Sequence, residues 1–157
     1  MNNSQIAVQK RDGSQEVLDL EKMHKVVFFA CEGVTGVSAS EVELKSHLQF
    51  YNGIKTTDVQ ETLIKAAADL ISEETPNYQW VAGRLINYHI RKQVYNTYTP
   101  FHLADIARKN VELGYYDQNF FSVYSENEIE QLNSYIKHDR DESIAYVGME
   151  QFRSKYL

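Results

Sequence analysis

Apolar positions change period along the chain, and the changes mark out its elements. Ile6-Ala7-Val8-Gln9 and Glu16-Val17-Leu18 are runs too short for helices and read as two strands. Between them, Lys10-Arg11-Asp12-Gly13-Ser14-Gln15 carries an Asp-Gly pair, a strong hairpin-turn signal. From there the spacing becomes helical. Met23, Val26, Val27 and Ala30 recur at three and four residues, predicting a helix over 20–32 with Asp19 as its cap and Gly33 as its stop. Ser38-Ala39-Ser40-Glu41 has the spacing of a capping box and opens a second helix through Val42, Leu44 and Leu48, which ends by Asn52-Gly53. Thr57-Asp58-Val59-Gln60 is another capping box, heading a third helix whose apolar stripe is Leu63, Ile64, Ala67, Leu70 and Ile71. Thr75-Pro76 interrupts, and a fourth helix is predicted over 78–95.

A hairpin and four helices make a compact unit of about a hundred residues, an ordinary domain size. Past Thr99-Pro100 the pattern is helical again, with breaks near Gly114-Tyr115-Tyr116-Asp117 and Ser125-Glu126-Asn127-Glu128. The expected fold is mainly α, with a first domain over 1–97 and a helical segment over 98–157. No fixed-period repeat is visible. The chain stops at Lys155-Tyr156-Leu157 with no terminating glycine or polar tail, which reads as a cut from something longer.

Composition narrows the function. Apolar residues are 43% of the 157, enough for a core, and the 11 tyrosines with only two prolines favour long helices with wet-ended aromatic packing. The net charge of -6 argues against bulk-electrostatic binding of nucleic acid, although a few placed cations could still hold a nucleotide. Cys31, the single cysteine, lies in an apolar run and reads as a small buried hydrophobe, so no disulfide, zinc knuckle or redox pair can form within one chain. The start lacks a basic segment leading into a long apolar core, and no apolar run reaches the ~20 residues of a membrane span. A cytoplasmic protein without membrane contact is expected.

Three segments could carry chemistry. Lys10 and Arg11 beside a glycine turn could hold a triphosphate, supported by Glu16, Asp19 and Lys22 close by, or could be ordinary solvated turn cations. Asn52-Gly53-Ile54-Lys55-Thr56-Thr57-Asp58 lacks the glycine spacing of a P-loop. It could offer free N–H groups at a helix start to an anion, or Thr57 could merely cap that helix. Arg84, Tyr88 and Lys92 share a helix face and could present a ring to a base and cations to phosphates, or form a solvated basic stripe at a helix C-terminus. His24, His47, His89, His102 and His138 show no shared metal-ligand spacing, and no catalytic serine or cysteine signature appears.

Val8-Gln9-Lys10-Arg11-Asp12-Gly13-Ser14-Gln15-Glu16 resembles the opening of the ATP-cone family. The resemblance continues in order through Asp19-Leu20-Glu21-Lys22-Met23, Ile54-Lys55-Thr56-Thr57-Asp58, Ile64-Lys65-Ala66-Ala67-Ala68-Asp69-Leu70-Ile71 and Pro76-Asn77-Tyr78-Gln79-Trp80-Val81-Ala82-Gly83-Arg84-Leu85. Gly114-Tyr115-Tyr116-Asp117 and His138-Asp139-Arg140-Asp141 are similar to the helical region that follows the cone in class I (aerobic) ribonucleotide reductase large subunits. This implies a β-hairpin capping a four-helix bundle, followed by linker helices that lead to a catalytic barrel. It implies an overall-activity site at which ATP permits ribonucleotide reduction and dATP commonly stops it by changing the oligomeric assembly. Lys10, Arg11 and Lys92, with Thr56 nearby, would contact the phosphates, and magnesium would be carried only on those phosphates. Glu16 and Asp19 would serve the base or sugar beside Lys22, while Val8, Val17, Met23 and Tyr88 would wall the base. Gln60 would face the nucleotide one turn into the third helix.

The chain departs from the family pattern at Gln60, where many bacterial members have His, and at Asp19, where Asn is more familiar. The resemblance thus implies binding without implying inhibition by dATP. The implied partners are the catalytic remainder of the large subunit and a radical-generating small subunit. The reductase reaction needs a radical cysteine and a reducing pair, so with Cys31 alone no catalysis is expected of this chain. A split large subunit would read the same way as a truncated one. A cone-containing repressor of reductase genes would carry a four-cysteine zinc ribbon, for which the cysteines are missing. A helical interaction domain whose cone has lost its ligand is the remaining alternative.

Overall fold

The computed structural model describes residues 6–10 and 12–157. They form two compact units by contact density: the chain up to Ile90 together with Asp141–Leu157, and Arg91–Arg140. No helix among the described residues is long and apolar enough to cross a membrane.

In the first unit, β1 (Ala7–Gln9) and β2 (Gln15–Val17) pair antiparallel with Val8 opposite Glu16. The turn closes through Lys10 N–H on Ser14 O (2.8 Å) and Gly13 N–H on Lys10 O (3.0 Å), with Gly13 at φ +84°. Asp12 Oδ1 accepts from the Ser14 hydroxyl (2.6 Å) and amide (2.9 Å), which lowers the pKa of its carboxyl. A third strand was absent from the expected hairpin. Ile54–Lys55 forms β3, parallel to β1, with Val8 opposite Ile54 and Gln9 opposite Lys55. Asn52 Oδ1 accepts from Ala7 N–H and Gly53 N–H donates to Ala7 O, so the turn before β3 is stitched to β1 as well. Two residues are too few for any period to register, which is why the pattern reads as a loop.

The helices are α1 (Leu20–Cys31), α2 (Ala39–His47), α3 (Thr56–Ala68) and α4 (Tyr78–Tyr95), the last passing into the second unit at Arg91. Asp19 caps α1 as expected, its carboxylate accepting from Lys22 N–H at 3.0 Å. The two expected capping boxes do not form. At α2, the Tyr78 hydroxyl accepts from Ser38 N–H (2.9 Å) and donates to the Glu41 carboxylate, so both box members are engaged by α4. At α3, the helix starts directly out of β3 with Lys55 as N-cap, which makes Thr57 the second helical residue. The apolar stripe also overran α3, which ends at Ala68; Leu70 lies beyond it, with its carbonyl held by Thr75 Oγ1 at 2.7 Å.

Met23, Val27, Val42, Leu63, Leu85 and Ile86 are among the core residues from all four helices. A smaller cluster under the sheet joins Val8, Ile54 and Val59. Met149 of a further helix belongs to the main core. That helix, Tyr146–Lys155, is counted below as α8.

The Tyr78 phenol is pushed up to about 12, first by burial and then by its bond to Glu41. Tyr78→Phe should destabilise the first unit by about 1 kcal/mol, at the low end for a lost buried hydrogen bond. The loss stays small because Glu41 is then free to accept from Ser38 N–H and close the box. Thermal denaturation of both proteins checks it, and a loss above about 3 kcal/mol would contradict this rescue.

In the second unit α5 (Leu103–Glu112) packs on α7 (Glu126–Tyr135), with α6 (Phe120–Val123) between them in sequence. Ala107 and Ile129 are buried there, and Asn133 Oδ1 accepts from Leu103 N–H at 2.9 Å. The break expected at Ser125 is a complete capping box, with Ser125 and Glu128 each bonding the other's main chain. A 3-10 helix over His138–Ser143 leads back to the first unit and α8.

Candidate functional site

Because β1 and β3 are parallel and in register, the end of β1 and the start of α3 lie side by side. A cleft of about 350 Å³ opens there, lined by Gln9, Lys10, Gly13, Lys55, Thr56 and Thr57. Its volume is at the lower end of small-molecule sites. The floor is the start of α3. A lysine at the N-cap has no acceptor to offer, so no side chain caps the helix and its first N–H groups remain available to an anion. A cation at that end also opposes the helix dipole, an arrangement that favours the arrival of negative charge.

Lys10 Nζ stands 2.6 Å from Glu16 Oε2, across the hairpin. The Glu16 hydrogen bond and charge raise the lysine pKa, so the ammonium is fully charged at neutral pH. Lys22 Nζ lies 3.4 Å from Asp19 Oδ2 at the start of α1, and the Lys22 amide holds the Asp19 carboxyl below its usual range. Among the described residues Lys55 forms no ion pair, which leaves its exposed ammonium able to take a ligand.

The expected site residues divide into groups. Lys10 and Thr56 line the cleft, and Glu16 reaches it through Lys10. Val8 is 2% exposed and packs with Ile54 and Val59, while Met23 sits in the main core. Val17 is exposed. Tyr88 is half-buried, and its phenol pKa is raised by that burial. Gln60 shares a helix face with Thr56 and Thr57, and its Oε1 is buried without a hydrogen-bond partner. Lys92 falls in the second unit, where its Nζ donates to Asn96 O at 3.0 Å. Arg11 lies outside the described residues.

Arg84 corrects one expectation. Its guanidinium donates to Ala30 O (3.3 Å), Glu32 O (2.6 Å) and Glu142 O (3.4 Å), so it closes the C-terminus of α1 rather than offering a cation to a phosphate. Gln9, Gly13, Lys55 and Thr57 line the cleft without having been assigned to it. Lys55 lay within the helix-start segment 52–58 that the sequence offered to an anion, but its register beside β1 was not legible. Cys31 is half-buried with its thiol pushed up to about 11, chiefly by burial, and so is an inert thiol. No group of three or more His, Cys, Asp or Glu residues suited to a metal ion occurs among the described residues.

Comparison with known proteins matches this frame. The ATP cone domain family matches residues 6–93, which include every residue lining the cleft. Over 155 residues the chain is 48% identical to ribonucleoside-diphosphate reductase 1 subunit alpha of Escherichia coli (strain K12), covering 99% of this chain and 20% of that protein. The subunit alpha of Haemophilus influenzae is 45% identical over 155 residues, again 99% and 20%. That of Enterobacteria phage T4 is 42% identical over 154 residues, 97% and 20%. The chain thus spans about a fifth of the length of these curated relatives. With the family matching more than half of its length and the hairpin, helices and cleft described above, the chain belongs to the ATP cone domain family.

Proposed function

We propose that the chain is the allosteric, overall-activity module of a ribonucleotide reductase large subunit, taking ATP or dATP in the cleft between the hairpin and α3. The observation that carries this is the meeting of Lys10, Lys55 and the uncapped start of α3 in one concave site within the cone. Phosphates would lie against the two ammonium groups and the first-turn N–H groups, with the Thr56 and Thr57 hydroxyls alongside. Glu16 would release Lys10 to the phosphates and accept from the sugar or base. Asp19, Lys22 and Tyr88 keep the roles the resemblance implies, and Arg11 and Lys92 enter through the resemblance alone. Magnesium would arrive on the phosphate oxygens. The division proposed is a regulatory domain over 1–97 and a helical segment from 98 onward. The catalytic remainder of a large subunit and a radical-generating small subunit would be its partners, with oligomeric state responding to the effector.

Calorimetric titration with Mg-ATP and Mg-dATP tests the reading. Both should bind, with affinities within about tenfold, a gap below ~1.4 kcal/mol. The ligands differ by one hydroxyl, and strong discrimination needs a site group left unpaired by the wrong ligand. Gln60 can donate or accept and so serves either sugar. Two ligands bound equally shift an assembly equilibrium differently only where their bound forms differ in shape, so dATP inhibition should be weak and Gln60→His should strengthen it. A flat titration with both nucleotides would leave the helical interaction domain as the better reading.

A further inference from the structure

Helix α8 (Tyr146–Lys155) is anchored at one end and nearly free at the other. Ile144, Tyr146 and Met149 pack into the main core, whereas Gln151, Phe152, Ser154 and Tyr156 are exposed. Among the described residues, the polar tie from this outer half to the rest of the first unit is one guanidinium. Arg153 Nη1 donates to both carboxylate oxygens of Glu61 on α3, at 2.7 and 2.8 Å. Its Nη2 donates to Glu150 Oε1 at 2.6 Å, which fixes the plane of the group from the other side. His89 Nε2 of α4 stands 3.3 Å from the same Glu61 carboxylate. One side chain of α3 therefore joins three helices.

Glu61 is four residues beyond Thr57, on the same helix face and about 6 Å further along the axis. A helix turns as a rigid rod, so the rotation that sets Glu61 also sets Thr56, Thr57 and Gln60 against Lys10. We propose that Arg153, which lies outside the segment matched by the family, is a positioning residue for the nucleotide cleft: by gripping Glu61 it sets the rotation of α3, and an occupied cleft in return holds the outer half of α8 in place. The return effect is required, because a coupling between two sites acts equally in both directions. This inference rests on the nucleotide reading above. The ion pair is part-exposed, with side-chain exposures of 26% for Arg153 and 47% for Glu61, so it adds little to stability. Its removal should leave the fold standing. Lysine cannot replace it, since a single ammonium does not span two carboxylates in a fixed plane.

The test uses the full 157-residue protein and Mg-ATP. In the unaltered protein, ATP should slow amide exchange both at 56–61 and at 150–157. In Arg153→Gln, ATP affinity should fall about fivefold, the low end of typical couplings, and the ATP-dependent protection at 150–157 should disappear while that at 56–61 remains. Arg153→Lys should behave like Arg153→Gln, and Glu61→Gln gives an independent break from the α3 side. A merely structural arginine would lower the melting temperature and leave the ATP-dependent protection unchanged, which overturns the proposal. So does an affinity within twofold of the unaltered protein in both Arg153 variants. No ATP binding by the unaltered protein would overturn the nucleotide reading and this inference with it, whereas normal binding with unaffected variants overturns this inference alone.

Discussion

Gly83→Ala should destabilise the first unit by about 2 kcal/mol, although the same change on an exposed helix face stabilises by ~1 kcal/mol. Gly83 is buried on α4, where the chain entering α8 passes directly over it. A Cβ there would collide with Ile144 O and lie 3.2 Å from both Ala145 C and Tyr146 N. These are main-chain atoms, which cannot swing aside as a side-chain tip can. Accommodation requires the Ile144–Tyr146 backbone to lift, and that loosens the packing of Met149 and the hydrogen bond from Arg84 to Glu142 O. Gly148→Ala makes a useful contrast. Its Cβ would meet Ile144 Cγ2 at 2.9 Å, a methyl that can rotate away, so it should cost well under half as much. Denaturant unfolding of the two variants checks both the sign and the order. Equal effects would mean that the approach of Ile144 to α4 is looser than described.

The second large effect is on affinity. Lys10→Ala with Lys55→Ala should weaken Mg-ATP binding by at least about tenfold, since charge-assisted contacts to phosphate are the stronger class of hydrogen bond. The pair also removes two positive charges from a site beside an uncapped helix start, so the remaining binding should depend less on salt. Both lysines are exposed, and the fold should be unaffected. Lys45→Ala is the appropriate control. That lysine sits on α2 with its ammonium on Asp69 O at 3.2 Å, outside the cleft lining, and its loss should leave affinity alone. Calorimetry at two salt concentrations separates these outcomes. Binding within twofold of normal in the double variant would remove this cleft as the nucleotide site.

What could be read from the sequence was what neighbouring residues decide among themselves. Asp12-Gly13 announced the hairpin, Asp19 the cap of α1, and the helical spacing of apolar residues announced α1 and α3. Misreadings arose where a distant partner competed for a local signal. Ser38 and Glu41 have the spacing of a capping box, but a tyrosine 40 residues from Ser38 takes the bonds that would close it. Ser125 and Glu128 have the same spacing with no such competitor, and there the box closes. Arg84 resembled a free cation on a helix face because nothing nearby in sequence reveals that α1 ends against it. The cleft was half legible for the same reason. Its residue types stood out at both edges, while the parallel register that joins the edges is a property of the folded chain.

That parallel pairing has a kinetic consequence. Ala7 and Asn52 are 45 residues apart, so closing the sheet requires a long loop to be drawn in after much of its entropy could have been spent elsewhere. Helical contacts within that loop are local and form early, whereas contacts between remote segments form late and raise the contact order of this corner. The cleft is therefore expected to form late in folding. A ligand that recognises only the completed corner finds nothing to hold in the transition state, so it leaves the folding rate alone and slows unfolding. An effector bound there would then lengthen the time each folded copy lasts before it next opens.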